Sequence, residues 1–130
     1  MIKRLFIVSA ALTLLAAGRP ALAHHSANAE FDTQKVETVS ATLTKVENLN
    51  PHGWWYFDVK SADGKVTQLK LETGGPGGLI NQGLKVKQDL TIGGTYTVEF
   101  SPAWKDPADT RVGIARKITI NGKDYQLFNI

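Results

Sequence analysis

Trp54-Trp55-Tyr56-Phe57-Asp58-Val59-Lys60, then Ala62-Asp63-Gly64-Lys65, then Val66-Thr67-Gln68-Leu69-Lys70-Leu71-Glu72 is the stretch that decides the fold. Side chains alternate across an extended chain, so Trp55, Phe57 and Val59 share one face and Trp54, Tyr56 and Asp58 the other. Leu69 and Leu71 repeat the pattern in the second run. Two alternating runs separated by Asp63-Gly64 predict a tight hairpin with both turn residues at positive φ. Upstream, Val39, Ala41 and Leu43 alternate within 36–46 and predict a strand. Asn48-Leu49-Asn50-Pro51-His52-Gly53 lies between, a loop by its Asn, Pro and Gly content. Residues 36–72 therefore predict a three-stranded meander.

Downstream, Thr73-Gly74-Gly75-Pro76-Gly77-Gly78 is expected to be irregular, and Leu79 to Leu84 to form one or two helical turns. Asp89 to Gly94 predicts a turn. Tyr96, Val98 and Phe100 share one face of a strand over 95–101. The polar loop 102–110 carries Trp104. Residues 111–120 predict a fifth strand, Asn121-Gly122 a second hairpin, and 125–128 its returning strand. A meander, a helical connection and two or three closing strands are the order of an OB-fold. The fold class expected is all-β: a small OB-like barrel, closed or partly open, of five to six strands with one short helical connection.

The N-terminus predicts a leader. Lys3 and Arg4 precede the apolar run Leu5 to Ala17, and Ala21-Leu22-Ala23 has the small-x-small form that signal peptidase cuts after. A run of thirteen residues is too short to span a bilayer, which needs about 20. The expectation is a signal peptide over 1–23, an arm over 24–35 that is extended, a barrel over 36–130, and a periplasmic or secreted product with no stable membrane insertion. Lys3, Arg4 and Arg19 leave with the leader. The 15 basic side chains then fall to 12, equal to the 12 acidic ones. A neutral domain argues against a nucleic-acid partner, which wants a basic face. The chain has no cysteine, so it has neither a disulfide framework nor a lipid-attachment thiol.

Cleavage after Ala23 would make His24 the new N-terminus. His24, His25 and His52 are all the histidines in the chain. The α-amine and ring of His24 with the ring of His52 would form a T-shaped set of three nitrogens, a histidine brace. Such a set suits copper. His25, as second residue, offers Cu(II) an alternative set with the amine and the intervening backbone nitrogen. The brace requires the arm to fold back so that residue 24 meets the loop carrying His52, and Phe31 could anchor it. A copper-dependent oxidase would need the same brace with an open position and substrate access. Against the metal, His24 and His25 could be a solvated terminus and His52 a turn cap.

The competing candidate is a metal-free interaction module. Trp54 and Tyr56, on the face away from the core, with Trp104 from the later loop, could bind a peptide, a sugar or a periplasmic protein. Catalytic patterns are weak. Ser26 has no rigid support and no Gly-x-Ser-x-Gly elbow. Asp58, Glu72 and Glu99 are scattered along strands. The glycine stretch 74–78 lacks the Lys-Ser/Thr ending of a phosphate loop.

Ala23-His24-His25-Ser26, Glu30-Phe31-Asp32, Asn50-Pro51-His52, the Asp63-Gly64-Lys65 turn and Gly113-x-Ala115-Arg116 together resemble a family of small exported bacterial proteins known only as a domain of unknown function. The resemblance runs over essentially the whole chain after the leader. It implies a small periplasmic β-barrel and no established activity. Ala27 and the glycines of 74–78 depart from the family pattern, which more often has an aromatic residue at the first position and a Ser-Pro-Asn type turn at the second.

Overall fold

The computed structural model describes residues 27–128 and 130. Six strands form one sheet: β1 (Glu37–Glu47), β2 (His52–Lys60), β3 (Val66–Gly74), β4 (Thr95–Pro102), β5 (Thr110–Ile120) and β6 (Lys123–Gln126). Two short helices, α1 (Pro76–Asn81) and α2 (Val86–Asp89), connect β3 to β4. The strand order is β3-β2-β1-β4-β5-β6, and β3 also pairs with β5 in parallel. That extra pairing closes β1 to β5 into a five-stranded OB-like barrel and leaves β6 as an added strand on β5.

Closure gives each of the five strands two barrel neighbours, and β1 divides its length between its two. Glu37–Thr42 of β1 pairs with β4, and Thr42–Glu47 with β2. The change of partner is accompanied by a bulge. Leu43 faces Phe57 while Lys45 faces Tyr56, so Thr44 is an extra residue, and its hydroxyl donates to the Tyr56 carbonyl at 3.1 Å. Bulges bend a strand and increase its twist. β5 carries a second bulge: Glu99 faces Lys117 and Phe100 faces Ala115, which leaves Arg116 unpaired with β4.

The inward faces are those the alternation predicts. Leu43, Trp55, Phe57, Leu69, Leu71, Val98, Phe100 and Ile118 are buried together, and Leu79 and Leu84 from the helical connection join them. Gly113 lets β5 come close. A Cβ there would lie 2.5 Å from the Phe100 ring and 2.7 Å from the Ser101 carbonyl oxygen.

Several local expectations are corrected. In the first turn only Gly64 has positive φ (87°), so Asp63-Gly64 is not a positive-φ pair. Asp63 instead accepts hydrogen bonds from the Ser61 hydroxyl and, at 3.1 Å, from the Lys65 amide. The second hairpin does have the pair, with Asn121 at 50° and Gly122 at 78°. The glycine stretch is not irregular throughout. β3 runs on to Gly74, and Pro76 opens α1, where its fixed φ suits the first helical turn. The helical connection is two pieces rather than one, because Val86–Asp89 is helical as well, and it takes in Asp89, which was expected to begin a turn. β6 starts at Lys123 and ends at Gln126, earlier than the expected 125–128.

The arm is described from residue 27. It is not simply extended, since 27–30 form one helical turn. Phe31 follows, bridging to Ala103 and only 3% exposed. The Asp32 amide donates to the Pro102 carbonyl at 2.8 Å, and the Trp104 amide to the Glu30 carbonyl at 3.1 Å. The arm is thus fastened to the loop after β4.

Candidate functional site

The arm and one end of the barrel enclose a cleft of about 1040 Å³. Phe31 and Val36 line it from the arm side, Pro51 and His52 from the loop before β2, Glu72 from β3, Ile114 and Arg116 from β5, and Phe128 from the C-terminal segment.

His52 is the first residue of β2 rather than part of the loop. It can start the strand because Gly53 follows: a Cβ at 53 would meet the Glu47 carbonyl oxygen at 2.6 Å and Thr73 Oγ1 at 2.9 Å. Counting back from the first hairpin, Lys60 opposite Val66 puts Trp54 opposite Glu72 and His52 opposite Gly74. His52 and Glu72 are then diagonal neighbours on one face. Their side chains meet, with His52 Nδ1 at 2.5 Å from Glu72 Oε1. The Phe128 ring packs edge-on against the imidazole, with centroids 5.0 Å apart. The contact turns Nδ1 toward the carboxylate and leaves Nε2, on the far side of the ring, pointing away from it. Glu72, taken from the sequence as one of several scattered carboxylates, is therefore the partner of His52. The hairpin register was the signal that could have found it.

Arg116 owes its position to the β5 bulge, which alternation alone does not reveal. Its Nη1 donates to the Thr33 carbonyl oxygen (3.1 Å) and to Ser101 Oγ (2.7 Å), tying arm, β4 and β5 together. Among the described residues no ion pair includes it.

His24 and His25 lie outside the described residues. Among the described residues no group of three or more His, Cys, Asp or Glu side chains could hold a metal ion. His52 with Glu72 is one ligand with its orienting carboxylate.

Trp54 and Tyr56 point outward from β2, on the opposite face from Trp55 and Phe57. Their rings are attended by lysines. Lys70 Nζ sits 4.2 Å from the Trp54 ring centre and 5.6 Å from that of Tyr56, and Lys45 Nζ sits 5.1 Å from Tyr56. The Tyr56 hydroxyl donates to Glu47 Oε2 at 3.0 Å, and Lys45 bonds Glu47 Oε1 at 2.5 Å. Burial, then Glu47, pushes the Tyr56 hydroxyl above its usual range, while Lys45 and Tyr56 hold the Glu47 carboxyl low. Trp104 is 62% exposed, and its hydrogen bonds run to the arm: Nε1 donates to the Asn28 carbonyl at 3.0 Å. The structure joins Trp54 to Tyr56 through Lys70 and joins Trp104 to the arm.

No helix among the described residues is long and apolar enough to cross a membrane. No curated protein and no solved structure is significantly similar to the chain. The model of a family of unknown function, DUF6152, matches residues 11–123, a span that takes in the barrel, His52, Glu72 and Arg116. The chain belongs to that family.

Proposed function

We propose that this is a small exported binding protein, freed by cleavage after Ala23 into the periplasm, that takes up copper at the arm–barrel cleft. The observation that carries this is the His52–Glu72 pair in a cleft whose wall begins at Ala27, two residues after His25. An extended chain covers about 3.5 Å per residue, so His25 is tethered within about 7 Å of Ala27 and His24 within about 11 Å. The free amine and ring of His24, with His25 beside it, would meet Nε2 of His52. Three nitrogens favour Cu(II) over the other divalent first-row ions. Glu72, in contact with Nδ1, would orient the ring so that Nε2 is the nitrogen offered to the metal.

Cu(II) titration of the chain starting at His24, amine free, tests this. One-to-one binding that weakens about 100-fold (about 2.7 kcal/mol) in His52→Ala, and again when a residue is added before His24, is the expected result. Affinity unchanged in His52→Ala would mean that the terminus chelates metal without the barrel, and would end the proposal. The second reading, a metal-free module that binds a peptide, sugar or protein partner, is favoured by the outward placement of Trp54 and Tyr56. It predicts indifference to the N-terminus and loss of partner binding in Trp54→Ala.

A further inference from the structure

The cleft is far larger than a metal ion needs. About 1040 Å³ is the size of a small-molecule site, which typically encloses roughly 300–1,000 Å³ with mostly apolar walls and a few placed polar groups. Its walls are mixed: polar and charged side chains, Glu30, Glu72 and Arg116 among them, alternate with apolar ones. Phe31 and Ile114 are buried, Val36 is 50% exposed, and Phe128 closes the side next to His52. Its cationic group is Arg116. Both hydrogen bonds of Arg116 leave from Nη1, so among the described residues Nε and Nη2 have no partner. The bulge that makes Arg116 the extra residue of β5 is the kind of irregularity that re-aims a side chain.

We propose that the cleft binds an amphipathic organic anion, with one carboxylate on Arg116 and an apolar body along Phe31, Val36, Ile114 and Phe128. The planar guanidinium is already oriented by Thr33 and Ser101, and its remaining donors match the two oxygens of a carboxylate. A single negative charge fits better than a phosphate dianion, because Glu30 and Glu72 also line the cleft. The proposal does not rest on copper, since Arg116 takes no part in the metal set.

The test is calorimetric titration of the chain starting at His24, in EDTA, with decanoate below its micelle threshold, beside decan-1-ol and decyl phosphate. Decanoate is expected to bind one-to-one with a dissociation constant below about 100 µM, an ordinary strength for such a site. Decanol and decyl phosphate should each bind at least about tenfold more weakly. Arg116→Met should bring decanoate down to the level of decanol and leave decanol unchanged. If Arg116→Met does not fold, Val36→Asp serves, since Val36 is half-exposed at the cleft wall and a charge there should weaken decanoate about tenfold or more. Equal binding of decanoate and decanol, tighter binding of decyl phosphate, or no binding of decanoate would each overturn the proposal.

Discussion

Gly113→Ala tests the closure of the barrel. Gly113 faces Leu71 across the parallel β3–β5 ladder and Pro102 across the antiparallel β4–β5 ladder. Its new methyl would sit 2.5 Å from the Phe100 ring, 2.7 Å from the Ser101 carbonyl oxygen and 3.2 Å from a Leu71 methyl. The ring is fully buried and the carbonyl is backbone, so neither can swing aside. Overpacking a closed core costs about 1–3 kcal/mol, and two contacts this short put the cost near the top of that range. Stiffening the unfolded chain returns about 0.4–1 kcal/mol. The net loss is about 2 kcal/mol, or about 8–16 °C in the melting midpoint for a domain near 100 residues. Gly77→Ala is the control. It lies in α1, where an added Cβ meets nothing within 4 Å, and alanine there should stabilise by about 0.5–1 kcal/mol. Thermal unfolding followed by circular dichroism reads both. A Gly113→Ala midpoint equal to wild type would refute the claim that close approach at this residue is what lets β3 and β5 join.

Phe31→Ala should release the arm without unfolding the barrel. Burying that ring is worth about 2 kcal/mol, so protection of the Asp32 amide, which donates to Pro102, should fall about 30-fold in hydrogen exchange. The Leu43 amide, bonded to Gly94 inside the barrel, should keep its protection. Glu37→Gln should remove part of the acid sensitivity. Burial pushes the Glu37 carboxyl up, but hydrogen bonds from Arg111 and Lys35 outweigh it and hold the group below its ordinary 4.5. A depressed carboxyl stabilises the folded state above pH 4.5, and that contribution disappears as the pH falls through its folded value. Denaturant unfolding at pH 7 and again near pH 3 should therefore show a wild-type advantage at neutral pH that vanishes in acid. An advantage that persists in acid would assign it to packing instead.

How much was legible depends on the range of the signal. Alternation in Trp54–Lys60 and Val66–Glu72 is local, and it identified the inward set Trp55, Phe57, Leu69 and Leu71. The order of strands and helical connection pointed to the OB-like barrel for the same reason. Events set by a neighbouring strand were not legible. Neither bulge has a sequence mark, so Thr44 and Arg116 gave no sign that they would stand outside the pairing. The run of glycines concealed a helix because Pro76 at its first turn and Leu79 packing beneath it outweigh the cost of Gly77 and Gly78. At the candidate site, His52 drew attention as one of three histidines. Glu72 needed the register of the whole hairpin, and Trp104 needed the arm it holds.

The two outward surfaces differ in how completely their polar groups are used. On the β2 face, Lys45, Glu47 and Tyr56 satisfy one another, and Lys70 lies over Trp54. Charges and rings there are matched within the chain, which is enough to explain their presence as a solvated wall of the barrel. In the cleft the matching is incomplete. His52 has one nitrogen engaged by Glu72, and Arg116 has one of its donor nitrogens engaged. The free donors of Arg116 are not among the buried atoms without a partner, so they open onto the cleft. Holding Thr33 and Ser101 needs only a neutral donor, so that role does not account for the charge. The bulge at Arg116, the close approach at Gly53 and the arm pinned by Phe31 together shape the cleft in which binding is proposed.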